Sequence, residues 1–215
     1  DTGGSVRLPG SFCNVTAMRP TYGISSRYGL TSMASRLDVV GPCASSAFEV
    51  AALLSTLVGQ DAKDSTSIDL PRCESLYPLN PLNLKGVRIG LPMEYFTDGI
   101  DASVRKVIDA NISELEGMGA SMIPISLPHT AYAIDTYYLI CVSEVSSNLA
   151  RFDGIRFGYR TSQSSSLIDL IAKTRDEGFG EEAKRRILLG AFCLNQGHVD
   201  EYYYRALKSR NLITQ

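Results

Sequence analysis

A short apolar segment, Val87-Arg88-Ile89-Gly90, is followed by apolar residues at helical spacing and then by a second strand-like segment from Ser121 to Ile125. The helical stripe is Val104, Val107, Ile108, Ile112, Leu115 and Met118, and it ends near Gly117 or Gly119, where glycine closes a helix without steric cost. Strand, helix and strand within about 35 residues favour a parallel pair joined by a helical crossover. Such a pair needs helices packed on its faces, so the chain is predicted to be α/β.

The rest of the pattern fits that class. Ser46 with Glu49 forms a capping-box pattern, and Val50, Ala51, Leu53, Leu54, Leu57 and Val58 supply an apolar face that Gly59 ends, which predicts a helix over 45–59. From Gln60 to Leu84 the chain is rich in Asp, Ser, Pro and Asn and reads as a long surface connection. Helical spacing then recurs over Ala131 to Ala150, Ser166 to Lys173, Glu181 to Asn195 and Glu201 to Leu212. With 215 residues and 44% hydrophobic residues, the chain can bury one sizeable core, as one domain or part of a larger one.

Composition limits the function classes. A formal net charge of -2 gives no general attraction to phosphate backbones, so contact with nucleic acid has to be local or made by a partner. Cys13, Cys43, Cys73, Cys141 and Cys193 are scattered and form no CxxC pair, which disfavours a disulfide framework and a zinc site and fits a reducing cytosol. No apolar run reaches the roughly 18–20 residues that a membrane span requires. A soluble cytoplasmic protein is expected, with an organellar matrix as the other compatible compartment.

The segment with most chemical content is Asp1 to Pro9. Paired glycines before a serine free the backbone to aim successive N–H groups at one point. If the Ser5 hydroxyl attacks a carbonyl, the N–H groups of Thr2, Gly3, Gly4 and Ser5 stand where the developing oxyanion needs them. The same letters also suit an ordinary turn. Because the string opens the chain, further sequence is expected upstream.

Read in order, Asp1-Thr2-Gly3-Gly4-Ser5-Val6-Arg7 with Pro9, Phe12-Cys13, Arg19-Pro20-Thr21-Tyr22-Gly23, Ser26-Arg27-Tyr28-Gly29-Leu30, Leu37-Asp38 and Gly41-Pro42 resemble the amidase signature family in order and spacing. The resemblance implies a mixed β-sheet surrounded by helices, here in part, with residues 1–215 as one amidase domain fragment. It implies Ser5 as the acylated nucleophile, the preceding residues as the oxyanion hole, and Asp1 and Arg7 as polar braces of the loop. A serine needs a base, and His129 and His198 stand in a loop-like Pro-His-Thr and at a helix break, neither an evident Ser-His partner. The family's base is a lysine relayed through a serine in a cis peptide, both upstream of the nucleophile, so these 215 residues alone are expected to be inactive.

The second half narrows the branch. Tyr137-Tyr138, the run from Ser143 to Gly158, and the run from Thr174 to Gly190 are similar to the glutaminase component of the amidotransferases acting on Glu-tRNA(Gln) or Asp-tRNA(Asn), and Tyr202-Tyr203 with Lys208 to Ile213 continue the likeness. By that likeness Arg185 holds the α-carboxylate of glutamine, and Tyr137 or Tyr138 lines the substrate pocket. A guanidinium can grip a carboxylate with two parallel hydrogen bonds. Without the likeness, Lys184, Arg185 and Arg186 read as the solvated basic face of a helix opened by Glu181 and Glu182. Arg151, Asp153 and Arg156 read either as a polar latch or as surface charges.

The same likeness implies no cofactor in this chain, ATP and magnesium on a partner subunit that binds the tRNA and performs transamidation, and a small third subunit that clasps the two. Gly10-Ser11, Asn14, Arg19 and Arg36 depart from the family's usual residues, all outside the nucleophile loop. A free-standing amidase acting on another small amide, or a non-catalytic scaffold, are the other readings of the same letters.

Overall fold

The computed structural model describes residues 1–70 and 83–215, so Cys73 and the stretch 71–82 of the loop predicted between Gln60 and Leu84 lie outside the described residues. These residues fall into two compact units, one formed by 1–70 with 134–215 and the other by 83–133.

In the larger unit a short helix α1 (Arg7–Phe12) leads to strand β1 (Thr16–Ala17), which pairs antiparallel with β2 (Cys43–Ala44). Helix α2 (Ala47–Leu57) begins at the expected box: the Ser46 hydroxyl accepts from the Glu49 N–H, and the Glu49 carboxylate accepts from the Ser46 N–H. In the smaller unit β3 (Arg88–Pro92), α3 (Ala102–Gly117) and β4 (Ser121–Ile125) form the predicted crossover, with β3 and β4 parallel and Ile89 opposite Met122. The fold is α/β, its strands gathered in two small sheets.

The remaining helices belong to the larger unit: α4 (Ala133–Leu149), α5 (Leu167–Gly178), α6 (Glu181–Leu194) and α7 (Arg205–Thr214), the last entered through a π-helical turn at Asp200–Tyr204. All four stretches were expected to be helical. Helix α5 runs further than Lys173, to Gly178, its start fixed by Ser166, whose hydroxyl accepts from the Asp169 N–H.

Helix α4 is the spine of this unit. Thr136 and Ile140 to Val145 are buried along it, and Ala34, Cys141 and Val145 form a core that Met33, Leu37, Tyr137, Leu149 and Ile187 close. Helix α6 comes so near that a Cβ on Gly190 would lie 2.6 Å from the Ser146 Cβ and would overlap the Val142 carbonyl oxygen. Glycine is therefore required at 190 by close approach of two helices. No helix among the described residues is long and apolar enough to cross a membrane.

Candidate active site

Residues 1–5 run directly into α1, because the Gly4 carbonyl accepts from the Leu8 N–H at 2.8 Å. Pro9 sits in the first turn of that helix, where the missing N–H has no intrahelical partner to lose. The loop before it is held from three sides.

The first hold is ionic. The Asp1 carboxylate is wholly buried and accepts from Arg7 Nε at 3.0 Å and Arg7 Nη2 at 3.2 Å, with Arg19 Nε at 3.6 Å. It also faces the Val6 and Arg7 N–H groups at 3.4 Å. Arg7 donates again to the Gly3 carbonyl at 3.1 Å. In a trans peptide the N–H points opposite to the carbonyl, so this contact turns the Gly4 N–H away from Arg7.

The second hold is a buried carboxylate. The Thr2 hydroxyl donates to Asp38 Oδ1 at 2.6 Å, while Asp38 Oδ2 accepts from the Met33 and Ala34 N–H groups at 2.9 and 3.0 Å. Asp38 is only 4% exposed. The third hold is aromatic: a Cβ on Gly3 would lie 2.5 Å from Tyr137 Oη and 2.6 Å from Tyr137 Cζ, so the tyrosine rests on the Gly3 backbone. Burial, with a contact to the Cys141 thiol, pushes the Tyr137 hydroxyl up to about 12, and it stays protonated at neutral pH.

Between these holds Ser5 is exposed. Its Oγ faces the Thr2 N–H at 3.4 Å. Among the described residues, no group accepts a hydrogen bond from the N–H of Gly3, Gly4 or Ser5. A hydroxyl at the surface beside several unengaged main-chain donors can take a carbonyl carbon and steady its oxygen.

The other predicted residues are placed as follows. Tyr138 is exposed and meets Tyr137 edge-on, ring centroids 5.5 Å apart. Arg185, on α6, is exposed and makes a two-pronged pair with Glu182, Nε and Nη2 each at 2.8 Å from a carboxylate oxygen. Arg186 bonds the same carboxylate at 2.7 Å, and Lys184 pairs with Asp176 and Glu181. Arg186 also stands close enough to Tyr137 and Cys141 for its charge to favour their ionised forms. Position in the sequence could not separate Arg185 from Arg186, which follow one another on the same helix.

His198 stacks on Phe192 at 4.3 Å between ring centroids and meets Tyr202 edge-on, an aromatic packing role. Arg151 donates to the Asn148 carbonyl at 2.8 Å, while Asp153 accepts from the Ile155 N–H at 2.8 Å and is held ionised also by the N–H and the charge of Arg156. The residue passed over in the sequence is Asp38. Its motif was visible, but nothing local signalled that it reaches Thr2, 36 positions away.

A cleft of about 260 Å³ opens beside Asp38, lined by Arg27, Tyr28, Ser32, Ser35, Lys63 and Asp64 among others. Ser5 does not line it.

The sequence profile of the Amidase family matches residues 1–215. The chain belongs to the amidase family. This amidase-family chain is 51% identical over 215 residues to a protein of Carboxydothermus hydrogenoformans named as the A subunit of glutamyl-tRNA(Gln) amidotransferase, covering 100% of this chain and 44% of that protein. A protein of the same name from Nitrosomonas europaea is 50% identical over 218 residues, again 44% of its length. The chain thus spans less than half the length of the curated relatives it matches.

Among solved structures, the glutamyl-tRNA(Gln) amidotransferase A subunit from Thermotoga maritima superposes with a TM-score of 0.69 at 32% identity, over 99% of this chain and 41% of that one. The peptide amidase of Stenotrophomonas maltophilia does so with a TM-score of 0.67 at 26% identity, over 96% of this chain and 42% of the other. The amidase-family fold expected from the sequence is therefore the fold found.

Proposed function

We propose that this chain forms part of the glutaminase subunit of a tRNA-dependent amidotransferase, with Ser5 as the nucleophile. The observation that carries the reading is the loop itself: an exposed Ser5 hydroxyl beside unengaged N–H groups, braced by Asp1 with Arg7 and overlain at Gly3 by Tyr137.

In this reading the Ser5 oxygen attacks the side-chain amide carbon of glutamine as its proton passes to a base. The N–H groups of Thr2, Gly3, Gly4 and Ser5 receive the negative charge on the amide oxygen. Collapse of the tetrahedral intermediate breaks the C–N bond, and the nitrogen leaves as ammonia after taking up a proton. Water then cleaves the acyl-enzyme to glutamate and returns the proton to Ser5. The base in this reading is, by family resemblance, a lysine relayed through a serine.

Arg185 takes the glutamine α-carboxylate by exchanging it for Glu182. The exchange is easy because a solvent-exposed ion pair is weakly held, and the two-pronged geometry is already set. Tyr137 and Tyr138 wall the substrate. The ammonia serves a tRNA-binding partner that uses ATP and magnesium to amidate misacylated Glu-tRNA(Gln) or Asp-tRNA(Asn), with a small clasp protein joining the two.

One observation favours a second reading. The Arg185 guanidinium is already paired with Glu182, as suits a free-standing amidase whose substrate has no carboxylate. Steady-state hydrolysis by the full-length enzyme separates the two. Ser5→Ala is expected to lower kcat by at least about 1,000-fold in either case. Arg185→Ala is expected to raise the KM for glutamine about tenfold or more, with little change in kcat. A Ser5→Ala enzyme with undiminished turnover would refute both readings, and an unchanged KM in Arg185→Ala would leave the free-standing amidase.

A further inference from the structure

We infer that Asp38, through the Thr2 hydroxyl, is a positioning residue for the nucleophile loop, setting where the Thr2 N–H and the Ser5 oxygen stand during acyl transfer. The inference rests on the assignment of Ser5 as nucleophile and extends it to two side chains that the assignment leaves without a role.

The contacts form an unbroken line. Two main-chain N–H groups, of Met33 and Ala34, fix one oxygen of the Asp38 carboxylate at 2.9 and 3.0 Å, and the other oxygen takes the Thr2 hydroxyl at 2.6 Å. The Thr2 N–H in turn faces Ser5 Oγ at 3.4 Å. The segment that presents Asp38 is itself tied down by α4. Asn148 Nδ2 donates to the Met33 carbonyl at 3.1 Å, and Glu144 Oε2 accepts from the Arg36 N–H at 2.9 Å.

The chemistry explains why a carboxylate suits this place. A hydroxyl donating to a buried carboxylate makes a charge-assisted bond, shorter and about twice as strong as a neutral one. That bond fixes the Thr2 side-chain rotamer, and with it the peptide plane that carries the Thr2 N–H. A donor aimed at an oxyanion gains its effect from being fixed before the charge appears. A loop rich in glycine has no rigidity of its own, so its geometry must come from residues outside it. Asp1 with Arg7 supplies this from below, and Asp38 supplies it through Thr2.

The test uses the full-length enzyme. Thr2→Val keeps the shape and removes the donor, Thr2→Ser restores the donor, and Asp38→Asn removes the charge. Initial rates of glutamine hydrolysis give kcat and KM, thermal melts report folding, and a serine-directed sulfonyl fluoride with peptide mapping reports whether Ser5 is reactive. Thr2→Val is expected to lose about 10- to 100-fold in kcat with KM near wild type, and to melt lower while staying folded at the assay temperature, because one oxygen of a buried carboxylate loses its donor. Thr2→Ser is expected to recover most of it. Thr2→Val combined with Asp38→Asn is expected to lose little more than Thr2→Val alone, since both break one link.

Wild-type kcat in Thr2→Val would overturn the inference while labelling at Ser5 left the nucleophile assignment standing. Absence of labelling at Ser5, with full turnover in Ser5→Ala, would overturn the assignment itself. If Asp38→Asn fails to fold, the Thr2→Val and Thr2→Ser pair decides alone: a loss in kcat that serine does not restore counts against the inference.

Discussion

The paired glycines at positions 3 and 4 have unequal surroundings, and they should respond unequally to a single methyl group. A Cβ on Gly3 would meet the Tyr137 hydroxyl at 2.5 Å and the ring carbon Cζ at 2.6 Å, while a Cβ on Gly4 would meet nothing within 4 Å. Gly3→Ala is therefore expected to cost about 1–3 kcal/mol, the usual penalty of overpacking, and to lower the reactivity of Ser5. Gly4→Ala should leave stability within about 0.5 kcal/mol of wild type, as for a substitution in open space. Chemical denaturation of the two variants checks the contrast. Tyr137→Phe in the Gly3→Ala background should restore little, because the ring carbon stays where it was. Tyr137 itself gives a pH signature: its hydroxyl is pushed up to about 12 by burial, so its stabilising contribution is intact below the ordinary tyrosine value near 10 and is lost as pH rises towards about 12. A spectrophotometric titration should show a late-titrating tyrosine signal that is lost in Tyr137→Phe. From the sequence, glycine before serine announced a loop able to bend. It could not tell which of the two glycines touches a tyrosine more than a hundred positions on, because that proximity depends on the packing of α4.

At the scale of elements, two close contacts make separable predictions. Gly190 lets α6 lie against α4, and Gly190→Ala would press a methyl group into Ser146 and the Val142 carbonyl. Destabilisation of about 1–3 kcal/mol or more is expected, read as a lower midpoint in urea. Ser46→Ala removes the hydroxyl that accepts from the Glu49 N–H at the start of α2 and should cost about 1 kcal/mol. The elements legible in the sequence were those with a strong local cause: the Ser46 and Glu49 box, the apolar stripe of α3 between two strands, and the long helices of the second half. Helix α1 and the β1 and β2 pair were not foreseen. Two-residue strands carry no periodic pattern, and the six residues of α1 contain a glycine and a proline that argue against a helix when read alone. The same division holds for the candidate site: local strings singled out Ser5, Asp1 and Arg7, whereas the contact of Asp38 with Thr2 and the neighbourhood of Arg186 needed the tertiary fold.

Across the molecule, stability should be uneven. In residues 83–133 only Ala120 is buried, and α3 has no buried residue, whereas α4 buries seven. Hydrogen exchange of the 215-residue chain is therefore expected to be fastest in β3, α3 and β4 and slowest in the middle of α4. Acid should also act at one place in particular. Burial alone would raise the Asp64 carboxyl, but hydrogen bonds from the Thr66 hydroxyl and from Arg27 more than offset it and hold the group well below the usual carboxylate range. Its contribution is thus present above the unfolded value near 3.9 and is lost as pH falls through the lower folded value. Asp64→Ala should destabilise the fold at neutral pH by taking from Arg27 its carboxylate partner, and the difference from wild type should shrink as the solution is acidified, as urea titrations at several pH values would show.

Helix α4 rests Tyr137 on Gly3 of the proposed nucleophile loop and, through Glu144 and Asn148, moors the segment whose Asp38 holds the neighbouring Thr2. One rigid rod thus gauges both supports at once. A shift of that rod would detune them together, so catalytic competence should vanish in step with loss of the core on warming, with no earlier phase in which the loop alone gives way.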